Sequence, residues 1–189
     1  MNILIDKLPT EFEGLKINTN FRSFILFELL MQDRTITKKE QIEISLNLFY
    51  EGQVFKTKEG IEKAIKGILW FYSLGDKKVK KSKVEAKNKQ YTIYSYEYDA
   101  ELIYSAFLSQ YRLDLNEVDY LHWWKFKSLF EGLNEENQIC KVMGYRSIDL
   151  SKIKDKEQKA YYRKLKRDFA LPDNRTEEEK ERDFAEAFW

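Results

Sequence analysis

Three times between Asn18 and Tyr72 apolar residues recur at helical spacing behind a polar residue suited to begin a helix. The first run follows Asn18–Asn20 and carries Phe21, Phe24, Ile25, Leu26, Phe27, Leu29, Leu30 and Met31. Apolar side chains surround most of its circumference, which predicts burial on more than one side. The second run opens at Thr37, with Glu40 three residues later as a capping box, and its predicted buried row is Ile42, Leu46 and Phe49. The third follows Thr57, places Ile61, Ala64, Ile65, Ile68, Leu69 and Tyr72 on one stripe, and ends at Gly75. Ahead of all three, Phe12, Leu15 and Ile17 around Glu13-Gly14 predict a small hairpin.

Beyond Gly75 the pattern changes twice. Residues 76–90 hold seven lysines against Asp76 and Glu85 with almost nothing apolar, which predicts a solvated basic loop or an exposed strand turn. Residues 91–99, YTIYSYEYD, then alternate with Tyr94, Tyr96 and Tyr98 on one side. That period predicts a strand that joins the hairpin in a small sheet. Asp99 is placed to cap a helix carrying Leu102, Ile103, Ala106, Phe107 and Tyr111. A helix is expected from about Asn116 to Glu131, a short one from Asn134 through Ile139 and Val142, and a long one from Ser151 to Ala170, stopped by Pro172. The segment TEEEKERDFAEAFW has a capping box at Thr176 and Glu179 and turns apolar at Phe184, Ala185, Phe188 and Trp189.

The stretch LHWWKFKSLFEGL, residues 121–133, sets two tryptophans side by side. Neighbours on a helix point about 100° apart, so Trp123 and Trp124 cannot share a face. Val118, His122, Trp123, Phe126, Leu129, Phe130 and Leu133 fall within a sector of about 140°, so Trp123 belongs to the main buried stripe. Trp124 lies opposite, beside Tyr120, Lys127 and Glu131. Two-sided burial of a central helix is the plainer account. The alternative makes Tyr120 and Trp124 an exposed aromatic anchor for a partner, since both residue types are enriched at interface hot spots.

These elements predict a mainly α-helical domain over residues 1–172 with a minor β element, followed by an acidic helical arm over 173–189. Composition supports a globular reading: of 189 residues, 43% are hydrophobic, and 33 basic residues nearly cancel 32 acidic ones. That balance gives no global case for a nucleic-acid or membrane-surface protein. The single cysteine, Cys140, excludes an intramolecular disulfide, no apolar run approaches a membrane span, and MNILIDKLPTEFEG lacks the pattern of a signal peptide, so a cytoplasmic location is expected.

Candidate chemistry is sparse. His122 is the only histidine and sits in the apolar stripe, where a satisfied core imidazole is the simpler role. With one histidine and one cysteine, a zinc site of the usual ligand types cannot be assembled, and a His122–Cys140 pair lacks a nucleophile's context. Glu97, Asp99 and Glu101 could hold Mg²⁺, although a strand end, a helix cap and a first-turn acid explain them as well. Phosphate-loop and dinucleotide motifs are absent. No cofactor, metal or catalytic residue is therefore expected.

Local charge is more informative. Lys77, Lys78, Lys80, Lys81 and Lys83 form a candidate basic patch, and the span from Lys152 to Asp168 holds eight basic against three acidic residues. Nucleic-acid binding through Lys77–Lys89 and that helix is one reading; soluble helical surface is the other. Residues 173–189 hold seven acids and three bases, and Phe184, Phe188 and Trp189 would make their end a docking element, for the same chain or another.

The stretches NTNFRSFILFELLMQD (18–33), YSYEYDAELIYSAFLSQYRLDL (94–115), YLHWWKFKSLFEGL (120–133) and MGYRSIDLSKIKDKEQKAYYRKLKRDFALP (143–172) resemble the bacteriophage gene-product-fifteen (Gp15) family of phages and prophages of Gram-positive bacteria. The resemblance reaches to Pro172. It implies a place among tail-morphogenesis proteins and a non-enzymatic role as a tail assembly chaperone. The partner it implies is tape measure protein foremost, with tail tube protein and self-association as further contacts. A structural tail or connector subunit is the alternative. The resemblance supplies no catalytic residues.

Overall fold

The computed structural model describes residues 2–75 and 93–172. Among them the fold is mainly helical, with seven α-helices and one two-stranded antiparallel sheet. Strands β1 (Glu11–Phe12) and β2 (Leu15–Lys16) pair Glu11 with Lys16 and Phe12 with Leu15. Glu13 and Gly14 both have positive φ, 48° and 81°, as a tight hairpin turn of matching twist requires. Phe12 then reaches Trp70, with ring centroids 5.5 Å apart, and ties the hairpin to the helices.

Helix α1 (Phe21–Gln32) starts at Asn20, whose side chain accepts the Arg22 amide at 3.1 Å. Helix α2 (Lys38–Phe49) has the expected capping box, with Thr37 and Glu40 bonding each other's backbone amides. Its buried row differs from the expected one: Ser45 and Phe49 are buried and Ile42 is exposed. Gln41 explains the rotation, since its side-chain amide donates to the Leu30 and Asp33 carbonyls at the end of α1 and turns that face inward. Helix α3 (Lys58–Tyr72) buries Ala64, Gly67, Ile68 and Phe71, leaving Leu69 half exposed at the edge of its stripe.

Of the strand expected over 91–99, residues 91 and 92 lie outside the described residues and 93–99 form bends and a turn; among the described residues the sheet holds only β1 and β2. Ser95 and Asp99 close the turn: the Ser95 amide donates to the Asp99 carboxylate at 2.8 Å and the Asp99 amide to the Ser95 carbonyl at 2.9 Å. Asp99 occupies the cap position of helix α4 (Ala100–Tyr111), yet its side chain makes no cap bond because it is turned to Ser95 and Arg146.

Helix α5 (Trp123–Glu131) begins seven residues later than expected from Asn116. Two long-range contacts hold the preceding segment out of helix. Arg22 donates to the carbonyls of Leu115, Asn116 and Val118 at 2.7, 3.3 and 2.9 Å, taking acceptors that a helix would need. The backbone at 121–123 also pairs with 19–21, through Phe21 N–H to Leu121 O and Trp123 N–H to Thr19 O. Helix α6 (Gln138–Ser147) follows, then a short 3₁₀ turn at Leu150–Lys152. Helix α7 (Lys156–Asp168) starts at an Asp155 cap, five residues after the expected Ser151, because Asp149 caps the 3₁₀ turn instead.

The core is strongly aromatic, with α5 at its centre. Trp123 stacks near-parallel on Phe24 of α1, Tyr72 of α3 and Phe126, at 5.0, 5.9 and 5.7 Å. Trp124 faces the other way, against Trp70 and Phe71, and its indole N–H donates to the Phe71 carbonyl at 2.8 Å. Both tryptophans are therefore buried, 1% and 4% exposed, because helices flank α5 on two sides.

Candidate functional site

Among the described residues an apolar groove of about 420 Å³ lies between α1 and the start of α4. Buried Phe21, Tyr96, Ile103 and Phe126 line it, with Ile25, Tyr104 and Leu115 above them and Arg22, Glu101 and Asn116 as its polar members. Two features of the fold keep this space open. Arg22 draws the 115–118 backbone to the N-terminal end of α1, and the Ser95–Asp99 turn holds Tyr96 against Phe126 and Phe130. Tyr104 donates its phenol proton to Asp114 at 2.9 Å, and Asp114 accepts the Asn116 amide. The Asn116 amide and the Tyr104 phenol hold the Asp114 carboxyl below its ordinary range, while the bond to Asp114 pushes the phenol up.

The outward face of α1 continues this surface. Leu26 is 53% exposed, and Ile25 and Leu29 are only partly covered. The sequence predicts burial of α1 on several sides; among the described residues the helix buries one face and leaves a second, apolar one at the groove.

Behind the groove lies a cluster of phenols. Tyr72 donates to Glu28 at 2.9 Å, and the Lys127 ammonium sits 5.6 Å over the Tyr94 ring and 5.5 Å over Phe130. Burial pushes the Glu28 carboxyl and the Tyr72 and Tyr96 phenols up, each in favour of its neutral form. The Tyr96 hydroxyl is shielded from solvent and has no hydrogen-bond partner among the described residues.

The residues expected to carry chemistry are committed elsewhere. His122 caps α5: its Nδ1 accepts the Trp124 amide at 3.1 Å, so its Nε2 carries the proton and donates to the Pro9 carbonyl at 2.9 Å. Burial lowers its pKa below 6.5. Both ring nitrogens are engaged, so the imidazole is not free to act as a base toward Cys140. That thiol lies near the Leu133 carbonyl, and burial pushes its pKa up. Asp99 is paired with Arg146, away from a metal site shared with Glu97 and Glu101. Among the described residues no three His, Cys, Asp or Glu side chains are grouped to hold a metal ion.

The candidate partner-binding residues divide. Trp124 is not an exposed anchor, since the C-terminal end of α3 covers it. Tyr120 remains 53% exposed with its hydroxyl 2.6 Å from Thr19 Oγ1, at the end of α1 that supplies Phe21 and Arg22 to the groove. Phe184, Phe188 and Trp189 lie outside the described residues, as do Lys77, Lys78, Lys80, Lys81 and Lys83. Sequence reasoning missed the groove itself. Its lining comes from four separate segments, and the one available signal was the apolar excess around α1.

A family model described as Bacteriophage Gp15 protein matches residues 4–171, almost the whole described chain. The chain belongs to this family. No curated protein and no solved structure matches it. Among the described residues no helix of this Gp15 protein is long and apolar enough to cross a membrane.

Proposed function

We propose that this Gp15 protein is an accessory of phage tail assembly that acts as a chaperone, covering apolar helical segments of other tail proteins, tape measure protein foremost. In this reading residues 1–172 work as one domain and present the α1–α4 groove to the partner. The observation that carries it is the apolar groove continued by Ile25, Leu26 and Leu29 on α1. An amphipathic helix laid along α1 would bury its apolar face there, in the manner of other helix-in-groove complexes. Arg22, Glu101 and Tyr120 at the margins would set its register. A free tape measure segment needs such cover until tube subunits displace it, because exposed apolar stripes aggregate.

The test is a pull-down from cells expressing the neighbouring tail genes, together with mass spectrometry of purified particles. Tape measure protein held by the bait, no bait peptides in the particles, and loss of capture with Ile25→Asp are the expected results. Bait peptides in particles at fixed copy number would instead make the protein a structural tail or connector subunit. The exposed basic face of α7, with Lys156, Arg163, Lys164 and Arg167, favours nucleic acid as a second reading. Binding that falls steeply as salt rises would support it.

A further inference from the structure

We propose that the groove's resident occupant is the chain's own segment 173–189, with Phe184, Phe188 and Trp189 seated over Tyr96, Ile103 and Phe126 until a partner displaces them. The proposal rests on the groove being the partner site. The path of the chain favours it. Arg146 donates from Nε to the Phe169 carbonyl at 2.6 Å and from Nη1 and Nη2 to the Asp99 carboxylate at 2.6 and 2.9 Å. One guanidinium therefore joins the end of α7 to the residue just before Ala100, which lines the groove. Phe169 is thus held close to the residue that precedes the groove-lining Ala100, and 17 residues follow Pro172. Even wound entirely as helix they would span about 25 Å, enough to run the length of α4.

Sequence and charge agree with this placement. Phe184 and Phe188, and Ala185 and Trp189, are spaced four residues apart, so as a helix they share one face. The acidic residues ahead of them would pass the N-terminal end of α4, whose first-turn amides receive no bond from the Asp99 side chain. A helix N-terminus favours negative charge, and Arg146 neutralises Asp99 beside it. Glu101 is the one acidic member of the lining and opposes this term.

The experiment uses the full chain carrying Phe188→p-benzoylphenylalanine, irradiated in purified form, with the adducts mapped by mass spectrometry. Adducts on peptides containing Ile25, Ala100 or Tyr104 at the mass of one chain are expected. Filling the groove with Ala100→Trp, at an exposed position, should reduce them about tenfold, the factor that losing burial of one aromatic side chain implies. Adducts confined to α7, or spread without preference, would overturn the proposal, and groove adducts at the mass of two chains would assign the occupant to a second copy instead. The mapping does not involve tape measure protein, so failure of the pull-down and failure of the seating are separate results. If both hold, Phe184→Ser with Phe188→Ser should increase capture of the partner.

Discussion

The centre of the molecule and its C-terminal shelf are held by different means. Around α5, rings from α1, α3 and α5 stack on one another, and Phe24, Phe71, Trp123 and Phe126 are 0–1% exposed. Helix α7 buries no residue at all. It is attached by half-covered Tyr162, Leu165 and Phe169, by the Lys166 ammonium on the Ile148 carbonyl, and by Arg146. The centre is secured by area removed from water, spread over many contacts, so no single hydrogen bond decides it. The shelf depends on one guanidinium that satisfies the Ile93 and Phe169 carbonyls and the buried Asp99 carboxylate together. Regions built these two ways should fail differently.

The largest loss is expected for Trp123→Ala, about 3–5 kcal/mol, because the cavity lies between Phe24, Tyr72 and Phe126 and cannot collapse easily. Denaturant melts should shift as a single cooperative transition. Arg146→Ala should cost a similar or slightly smaller amount, about 3–5 kcal/mol, since it leaves Asp99 buried without a counter-charge. Here hydrogen exchange should show the amides of 156–168 losing protection ahead of those in α1 and α5. Equal loss of protection everywhere would mean that shelf and centre form one cooperative unit.

A smaller effect separates the two regions by pH. Burial holds the His122 imidazole neutral, with its folded pKa below the 6.5 of the unfolded chain. Between those two values the unfolded state binds more protons, so the stability of the centre falls as pH drops below about 6.5 and levels off under the folded pKa. His122→Asn keeps an acceptor for the Trp124 amide and should flatten that slope in urea melts taken between pH 7 and 5. The smallest change is expected for Tyr96→Phe. Removing a buried hydroxyl that has no geometric hydrogen-bond partner among the described residues should leave stability unchanged or slightly raised. A loss of more than about 1 kcal/mol would mean that the phenol does make a bond.

Local signals were legible in the sequence and long-range ones were not. The Thr37–Glu40 box, the Glu13-Gly14 turn and the Thr57 start of α3 depend on residues a few positions apart. Helix α5 was placed too early because residues 116–122 suit a helix locally, while Arg22, more than ninety residues away, takes their carbonyls. The tyrosine alternation at 94–98 suggested a strand, but Asp99 closes those residues into a turn and leaves Tyr98 half exposed. The wheel turns Trp124 away from Trp123, and in the structure Trp124 packs on Trp70 and Phe71. What lay over that face depended on where α3 packs, which no local pattern reports.

Gly75 closes the turn that follows α3 against that same tryptophan. Its φ is +78°, its amide donates to the Trp70 carbonyl, and a Cβ there would stand 2.9 Å from the Trp124 ring. At the far side of residues 76–92, the Ile93 carbonyl is fixed by Arg146. Both ends of that stretch are thus set by the core, whatever lies between them. The entropy of closing such a stretch grows only with the logarithm of its length, by about 0.6 kcal/mol for each doubling. A change in the number of residues between Gly75 and Ile93 is therefore expected to alter the closure entropy little.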